Sequence, residues 1–297
     1  MCRDFHETAQ FGSCLDQSAP NRTPDRDAKR WIMRSFAAGV VRLALGALGL
    51  LALTGAALAQ GAGDRRVDAS FTATAHGVAA GEFTYSFVQT GQAYEANARR
   101  RLNGIARMMM GSSQDYTYSV RGAVNATGGL RPSAYQHQGG RRNRLVNAVF
   151  TAEDVVTTAT PGMGMGTPAA TAAQKRGVID QLTAIASLIT ATGDPCTRTL
   201  NVYMDGRSRF DFVLTANGRV EVDTPAYRGP ALRCRVQFRP ISGFSDPQEA
   251  ETLTFLFAPT PSGLYAPIRI EMPTDSEQIG VVRLEARRLT VNGARLR

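Results

Sequence analysis

Four charged residues in two short segments carry the clearest capacity for ligand binding. Arg142 and Arg144 lie in one basic run, and Asp205 and Arg207 flank Gly206. A guanidinium group binds phosphate or carboxylate oxygens in a bidentate manner, and a carboxylate accepts hydrogen bonds from hydroxyl or amine groups. We therefore predict ligand contacts for these four charged side chains, with an anionic or hydroxyl-bearing ligand.

Simpler interpretations of the same residues stay open at this stage. Arginine clusters commonly line the solvated outer face of a sheet, and an aspartate before Gly206 is a typical turn former. Glycoside hydrolysis uses two opposed carboxylates about 5–10 Å apart. Asp205 with Asp211, or Glu221 with Asp223, are the candidate pairs in this sequence, but sequence alone does not fix their separation.

Other chemistries find little support in the sequence. After removal of the N-terminal segment discussed below, His76 and His137 are the remaining histidines, and neither has a ligand partner at helical or alternate-strand spacing. There is no Gly-x-Ser-x-Gly nucleophile motif. We therefore predict no metal, no cofactor and no catalytic residue. Nucleic-acid binding is not expected either, since no recognition motif accompanies the arginines.

The N-terminal region predicts export from the cytoplasm. Residues 33–59 combine a basic start, an apolar run and Ala57-Leu58-Ala59, which are the parts of a signal peptide. We predict cleavage after Ala59 and a periplasmic location; a membrane anchor is the alternative. Residues 1–32 suit a secretory start poorly and are interpreted as an extension upstream of Met33. Cleavage removes seven basic and five acidic side chains, which lowers the net charge from +9 to +7.

Two cysteines, Cys196 and Cys234, remain in the segment 60–297 that follows the predicted cleavage site. In an oxidising compartment two such cysteines usually form a structural disulfide, which we predict here. A redox-active pair is the alternative, although such pairs typically occur as Cys-x-x-Cys at a helix start.

Residues 199–223 alternate apolar and polar side chains with the period of half-buried strands. A three-residue loop, Asp205 to Arg207, pairs Val202 with Phe210, whereas a two-residue loop would pair apolar with polar positions. A second three-residue loop at 216–218, with Gly218 in its last position, predicts a hairpin there as well. The segment is therefore predicted to be a three-stranded meander.

Similar alternation continues along the rest of residues 60–297, which are predicted to form one β-rich domain. One amphipathic helix is predicted at about 180–192, with Asp180 as its N-cap. Residues 159–174, rich in glycine, proline and threonine, are predicted to form a flexible loop. The predicted fold class is mainly β: a single curved antiparallel sheet or a partly open β-barrel with one packed α-helix.

Three motifs resemble the bacterial domain of unknown function 3108, a family of exported proteins from Gram-negative bacteria. They are a helix start at Asp180-Gln181-Leu182-Thr183-Ala184, a turn at Tyr203-Met204-Asp205-Gly206-Arg207, and a strand from Cys234 to Phe244. The resemblance covers essentially all of residues 60–297. It implies an exported β-rich domain and implies no activity.

These observations lead to three functional hypotheses. The first is a periplasmic domain that binds or carries an apolar or amphiphilic envelope component, such as a lipid or glycolipid; an anionic polysaccharide is a further possible partner. The second is a structural or interaction module of the cell envelope that pairs through its sheet edges. The third, and least favoured, is a carbohydrate-active enzyme.

Overall fold

The computed structural model describes residues 64–104, 115–190, 192–273 and 280–296. The predicted upstream extension (1–32) and the predicted signal peptide (33–59) lie outside these residues. The strands are β1 (Arg65–Ala75), β2 (Val78–Thr90), β3 (Ala93–Leu102), β4 (Tyr116–Val124), β5 (Leu130–Gly139), β6 (Arg144–Phe150), β7 (Val155–Thr160), β8 (Thr199–Met204), β9 (Ser208–Thr224), β10 (Tyr227–Ser242), β11 (Glu251–Pro259), β12 (Tyr265–Pro273), β13 (Val281–Val291) and β14 (Ala294–Arg295). The helices are α1 (Ala172–Lys175) and α2 (Gln181–Thr190), followed by a 3-10 turn at Pro195–Thr197.

All strands belong to one antiparallel sheet with the order β7-β6-β5-β4-β3-β2-β1-β13-β12-β11-β10-β9-β8, and β14 pairs with β13. The described chain starts at the middle of the sheet and runs outward to the β7 edge. It then crosses to the opposite edge through α1 and α2, and returns inward to β13. Neighbouring strands of this path are consecutive in the chain except β1 and β13, so most of the sheet is a meander.

Helix α2 lies against both halves of the sheet, since it contacts β3, β4 and β5 on one side and β8 and β12 on the other. A sheet reaches one short helix from both sides only if it curls around that helix. The apolar positions explain the packing: Leu182 and Ile189 join one buried cluster, and Leu188 joins a second. Burial of these side chains stabilises the curl.

The N-terminus of α2 is capped as predicted. Asp180 Oδ1 accepts hydrogen bonds from the backbone N–H groups of Leu182, at 2.8 Å, and Thr183, at 3.2 Å. These bonds satisfy donors that have no partner inside the helix. Just before the cap, Ile179 forms a parallel bridge with Val202 of β8, which fixes the helix start against that edge of the sheet.

The predicted disulfide is present: Cys196 and Cys234 are bonded, with their Cα atoms 5.2 Å apart. Cys196 lies in the 3-10 turn after α2, and Cys234 lies on β10. Both sulfurs belong to the apolar cluster beneath β8–β12. The bond therefore ties the connection that leaves the helix to the sheet.

The sheet is open, so the barrel alternative was wrong. Its hydrogen-bonded path ends at β7 and at β8, which do not pair with each other. The physical reason is the crossing segment: α2 fills the concave face, and Ile179 bonds to the outer side of β8. Ile179 N–H donates to the Asn201 carbonyl, and the Tyr203 N–H donates to the Ile179 carbonyl.

The predicted hairpin at 216–218 was also wrong, because β9 continues through it to Thr224. Gly218 does have a positive φ of 80°, but the register shows a bulge. Ala216 pairs with Cys234 and Arg219 pairs with Leu232, so two residues of β9 stand opposite Arg233 alone. A left-handed glycine bends a strand at such a bulge without reversing it. Residues 199–223 therefore form two strands.

The segment predicted as a flexible loop, 159–174, begins inside β7 and ends inside α1. Between them, Thr167 N–H donates to the Phe244 carbonyl at 3.0 Å, and Gly243 N–H donates to the Pro168 carbonyl at 2.8 Å. These bonds attach its second half to the end of β10. Its flexibility stays a prediction.

Candidate ligand-binding cleft

A cleft of about 710 Å³ lies at one end of the sheet, where the β8–β9 turn approaches β6 and β7. Its volume falls within the range of about 300–1,000 Å³ that is common for small-molecule sites. All four sequence-predicted ligand residues line it. The lining residues are Tyr116, His137, Gly139, Gly140, Arg141, Arg142, Arg144, Met163, Met204, Asp205, Arg207, Ser208, Phe238, Phe244, Ser245, Asp246 and Gln248.

The β8–β9 turn places Asp205 in the cleft. The predicted three-residue loop is confirmed, since Met204 pairs with Ser208 and Val202 pairs with Phe210. Asp205 and Gly206 both take left-handed conformations, with φ of 52° and 71°. A Cβ at Gly206 would lie 2.8 Å from a methyl group of Thr157. Glycine therefore lets the turn lie against β7, which carries Asp205 across the gap between the two sheet edges.

Asp205 belongs to a polar network that joins the turn, helix α2 and β5. Its Oδ1 accepts a hydrogen bond from Gln181 Nε2 at 2.8 Å and one from Tyr135 Oη at 3.3 Å. Gln181 Nε2 also donates to Tyr135 Oη. Tyr135 Oη lies 3.1 Å from His137 Nδ1, and that nitrogen lies 3.9 Å from Asp205 Oδ1. The side chain of Asp205 is nevertheless 42% exposed.

His137 is neutral at neutral pH in this environment. Burial lowers its pKa, the guanidinium groups of Arg144 and Arg100 lower it further, and Asp205 opposes them. Burial also raises the pKa of Tyr135, so its hydroxyl stays protonated. A neutral imidazole has one donor and one acceptor nitrogen, so the bond between Nδ1 and Tyr135 decides which role Nε2 plays.

The arginines of the cleft divide into two groups. Arg144 donates to the Pro161 carbonyl at 2.9 Å and the Gly162 carbonyl at 3.1 Å, and Arg207 donates to the Gly164 carbonyl at 3.4 Å. These two side chains therefore hold residues 161–164 beside the cleft. Arg141 and Arg142 are exposed and form no ion pair with any residue that the structure describes. They are the cations most accessible to a ligand.

Part of the cleft lining, which we call the apolar wall, consists of apolar side chains. These are Met163, Met204, Phe238 and Phe244. Phe238 and Phe244 meet edge to face with their ring centroids 6.1 Å apart. Met204 and both rings pack against the buried cluster beneath β8–β12, so the core positions this wall rigidly.

The remaining predicted candidates lie elsewhere. Asp211 does not line the cleft: its Oδ1 accepts hydrogen bonds from Arg209 and from Asn201, the latter at 2.7 Å. Asp223 forms an exposed ion pair with Arg228. Arg100 of β3, which also does not line the cleft, lies over the Tyr116 ring, 4.5 Å from its centroid.

Sequence reasoning missed several residues of the cleft, chiefly Tyr116, His137, Phe244 and Asp246. His137 was judged isolated because its charged partner, Asp205, lies on the β8–β9 turn, far away in sequence. One local signal was present: Tyr135 and His137 alternate on β5, so both face the same side of the sheet.

Within the described parts of the chain, no group of three or more His, Cys, Asp or Glu residues could hold a metal ion. No helix among these residues is long and apolar enough to cross a membrane.

Comparison with known proteins identifies a family. No curated protein matches the sequence. A family model described as a protein of unknown function (DUF3108) matches residues 69–286. This match covers every strand from within β1 to within β13, together with the cleft and its polar network. The chain therefore belongs to the DUF3108 family, as its three motifs suggest.

Proposed function

We propose that this domain binds an anionic amphiphile, such as a lipid or glycolipid of the cell envelope, in the cleft between β6 and the β8–β9 turn. The observation that carries the proposal is that arginine side chains and apolar side chains line the same cleft. Exposed arginines, which we call the arginine wall, contribute one part of the lining, and methionine and phenylalanine side chains contribute another. A ligand with an anionic head and an apolar chain would contact both.

The charge of the arginine wall favours an anion. Arg141 and Arg142 lack intramolecular ion pairs among the described residues, so an incoming phosphate or carboxylate replaces water and not another protein group. Charge-assisted hydrogen bonds of this kind are among the strongest in proteins. The net charge of +7 predicted after signal cleavage would also draw anions toward the protein, an effect that salt weakens.

The size of the cleft favours a headgroup with part of one chain. A complete diacyl lipid would need more room than about 710 Å³. The concave face of the sheet is not the proposed place for acyl chains, because α2 and the buried clusters around it occupy it. The proposal is therefore recognition of a headgroup at the rim, and not enclosure of a whole lipid.

The proposed setting is the periplasm, reached through the signal peptide predicted at 33–59. The disulfide supports this setting, because such bonds persist in oxidising compartments.

The two other hypotheses receive less support. Ile179 already bonds to the outer side of β8, which limits strand addition at that edge. Glycoside hydrolysis by Asp205 and Asp211 is less supported, because Asp211 forms an ion pair with Arg209 and does not line the cleft.

Titration calorimetry with dodecyl phosphate, inorganic phosphate and octaethylene glycol monododecyl ether tests the proposal. We expect saturable binding of dodecyl phosphate at one site, tighter than inorganic phosphate by at least about 10-fold because of the apolar wall. Octaethylene glycol monododecyl ether, which has the chain but neither a charge nor a sugar ring, should not compete at equal concentration.

A pair of arginine variants locates the site. Arg141→Gln combined with Arg142→Gln should weaken dodecyl phosphate binding by about 10-fold or more, since each substitution removes a charged donor that has no ion pair among the described residues. The control is Arg121→Gln, an exposed arginine of β4 that does not line the cleft. If dodecyl phosphate does not saturate, or if the control weakens binding as much, the cleft is not an anionic amphiphile site.

A further inference from the structure

We infer that the headgroup bound in this cleft carries a polyhydroxylated ring, a sugar or cyclitol, whose hydroxyl groups donate to Asp205 while its phosphate or carboxylate contacts Arg142 and Arg207. The inference rests on the proposed function and specifies the chemical class of the headgroup. A fatty acid or a simple phosphate would leave part of the cleft without a partner.

Asp205 places a carboxylate in a cleft lined by arginines. It forms no ion pair with an arginine or lysine among the described residues; the titratable side chain within 4 Å of it is the neutral His137, at 3.9 Å. Its Oδ1 is bonded to Gln181 and Tyr135. No described residue donates to Oδ2, on a side chain that is 42% exposed. Such an oxygen repels an acceptor-only anion and attracts a hydroxyl donor.

The β8–β9 turn itself does not require a carboxylate at position 205. Asp205 has a φ of 52°, a conformation that asparagine and glycine adopt at least as readily. The bonds from Gln181 and Tyr135 need only one acceptor oxygen, which an asparagine amide also provides. The negative charge at this position therefore has no structural role that the neutral residue would lack.

A neutral imidazole, that of His137, lies beside Asp205. His137 Nδ1 is bonded to Tyr135 Oη, and its Nε2 has no partner among the described residues. The charged groups near the ring are Asp205, Arg144 and Arg100, and burial with the two arginines lowers the pKa of His137. A neutral Nε2 can accept or donate, and a hydroxyl group can complement either role. A ring with several hydroxyls would satisfy both groups at once.

The variant Asp205→Asn tests whether the cleft recognises ring hydroxyls or only an anion. The probes are inositol 1-phosphate, which has ring hydroxyls and a phosphate, and inorganic phosphate, which has no ring. We expect the variant to bind inositol 1-phosphate about 10-fold more weakly, since a charge-assisted bond is lost. It should bind inorganic phosphate about 3-fold more tightly, since a repelling charge near the arginines is removed.

The control is Asp223→Asn, which removes the same charge from an exposed ion pair with Arg228 outside the cleft. This control should change the affinities for inositol 1-phosphate and for inorganic phosphate equally or not at all. Opposite shifts in Asp205→Asn alone support the inference. Parallel shifts for the two probes, or a wild-type protein that binds inositol 1-phosphate no more tightly than inorganic phosphate, overturn it.

Vesicles distinguish this inference from the proposed function. Phosphatidylcholine vesicles that carry phosphatidylinositol should bind the protein more tightly than free inositol 1-phosphate does, and more tightly than vesicles that carry phosphatidic acid. If phosphatidic acid binds equally well, the hydroxyl inference fails and the amphiphile proposal stands. If free inositol 1-phosphate binds as tightly as the vesicles, the amphiphile proposal fails and the ligand is a soluble saccharide.

Discussion

Asp180 makes the stability of this protein depend on pH in an unusual direction. Its side chain is completely buried at the start of α2, and burial raises the pKa of this carboxyl to about 6 despite hydrogen bonds from Leu182 and Thr183. In the unfolded chain the pKa is that of an ordinary aspartate, about 3.9. Between these values the folded state holds a proton that the unfolded state has released. Stability from this group is therefore present below about pH 4 and is lost as pH rises through 6.

The magnitude follows from the difference of about two pKa units. Each unit corresponds to about 1.4 kcal/mol, so the ionised carboxylate costs the folded state about 3 kcal/mol above pH 6. Asp180→Asn keeps an oxygen that can accept from Leu182 N–H and Thr183 N–H but carries no charge. The wild type should thus lose about 2 kcal/mol relative to this variant between pH 4 and pH 7, and the variant should be at least as stable at pH 7.

Urea denaturation of both proteins at several pH values between 4 and 7 gives this difference directly. Titration of all other groups cancels when the two free energies of unfolding are subtracted. Asp180→Ala serves as the control, because it removes both charge and cap and should cost about 1 kcal/mol relative to the asparagine variant at every pH. A wild-type curve parallel to that of Asp180→Asn, or one that diverges in the opposite direction, would refute the buried-carboxyl argument.

Two further predictions concern the connections around the cleft. Replacing both Cys196 and Cys234 by alanine should lower the free energy of unfolding by about 4 kcal/mol, from the entropy of a loop closed over 38 residues, as measured by urea denaturation; a loss below about 1 kcal/mol would contradict this estimate. Gly206→Ala should cost about 3 kcal/mol, because left-handed strain adds to overlap with Thr157. The control Gly193→Ala, at a φ of 83° with open space around its Cβ, should cost about 1 kcal/mol, and equal melting temperatures for the two variants would exclude the overlap.

The β8–β9 turn shows why part of the site was predictable. Its register follows from the alternation of side chains between the two faces of each strand. A loop of the wrong length would move every apolar side chain of one strand to the opposite face. Val202 opposite Phe210 is the pairing that the alternation requires, and the structure has it. The same alternation and the cap at Asp180 predicted α2.

Gly218 shows the limit of such reasoning. A glycine with positive φ suits both the last position of a hairpin loop and a bulge within a continuous strand. Which one occurs depends on the partner strand: β10 pairs with β9 on both sides of Gly218. That pairing is a long-range interaction, which the local sequence does not predict.

The cleft was predictable in its residue types and not in its assembly. Asp205, Arg207, Arg142 and Arg144 were predicted as ligand contacts from charge and motif, and they line one cavity. The network of Asp205 with Gln181, Tyr135 and His137 was not foreseen. Its members come from three elements that meet only after the sheet has curled around α2.

The sequence by itself determined the alternating strands, the capped helix, the cysteine pair and the family, because each depends on side chains that are close in the chain or on a short motif. The tertiary structure alone decided that the sheet stays open, that α2 fills its concave face, and that the two edges approach each other at Gly206. These outcomes depend on how many strands pair and how strongly the sheet twists, which are properties of the packed chain. The cleft exists because of that curvature, so the environment of His137 and Asp205 could be obtained only from the folded protein.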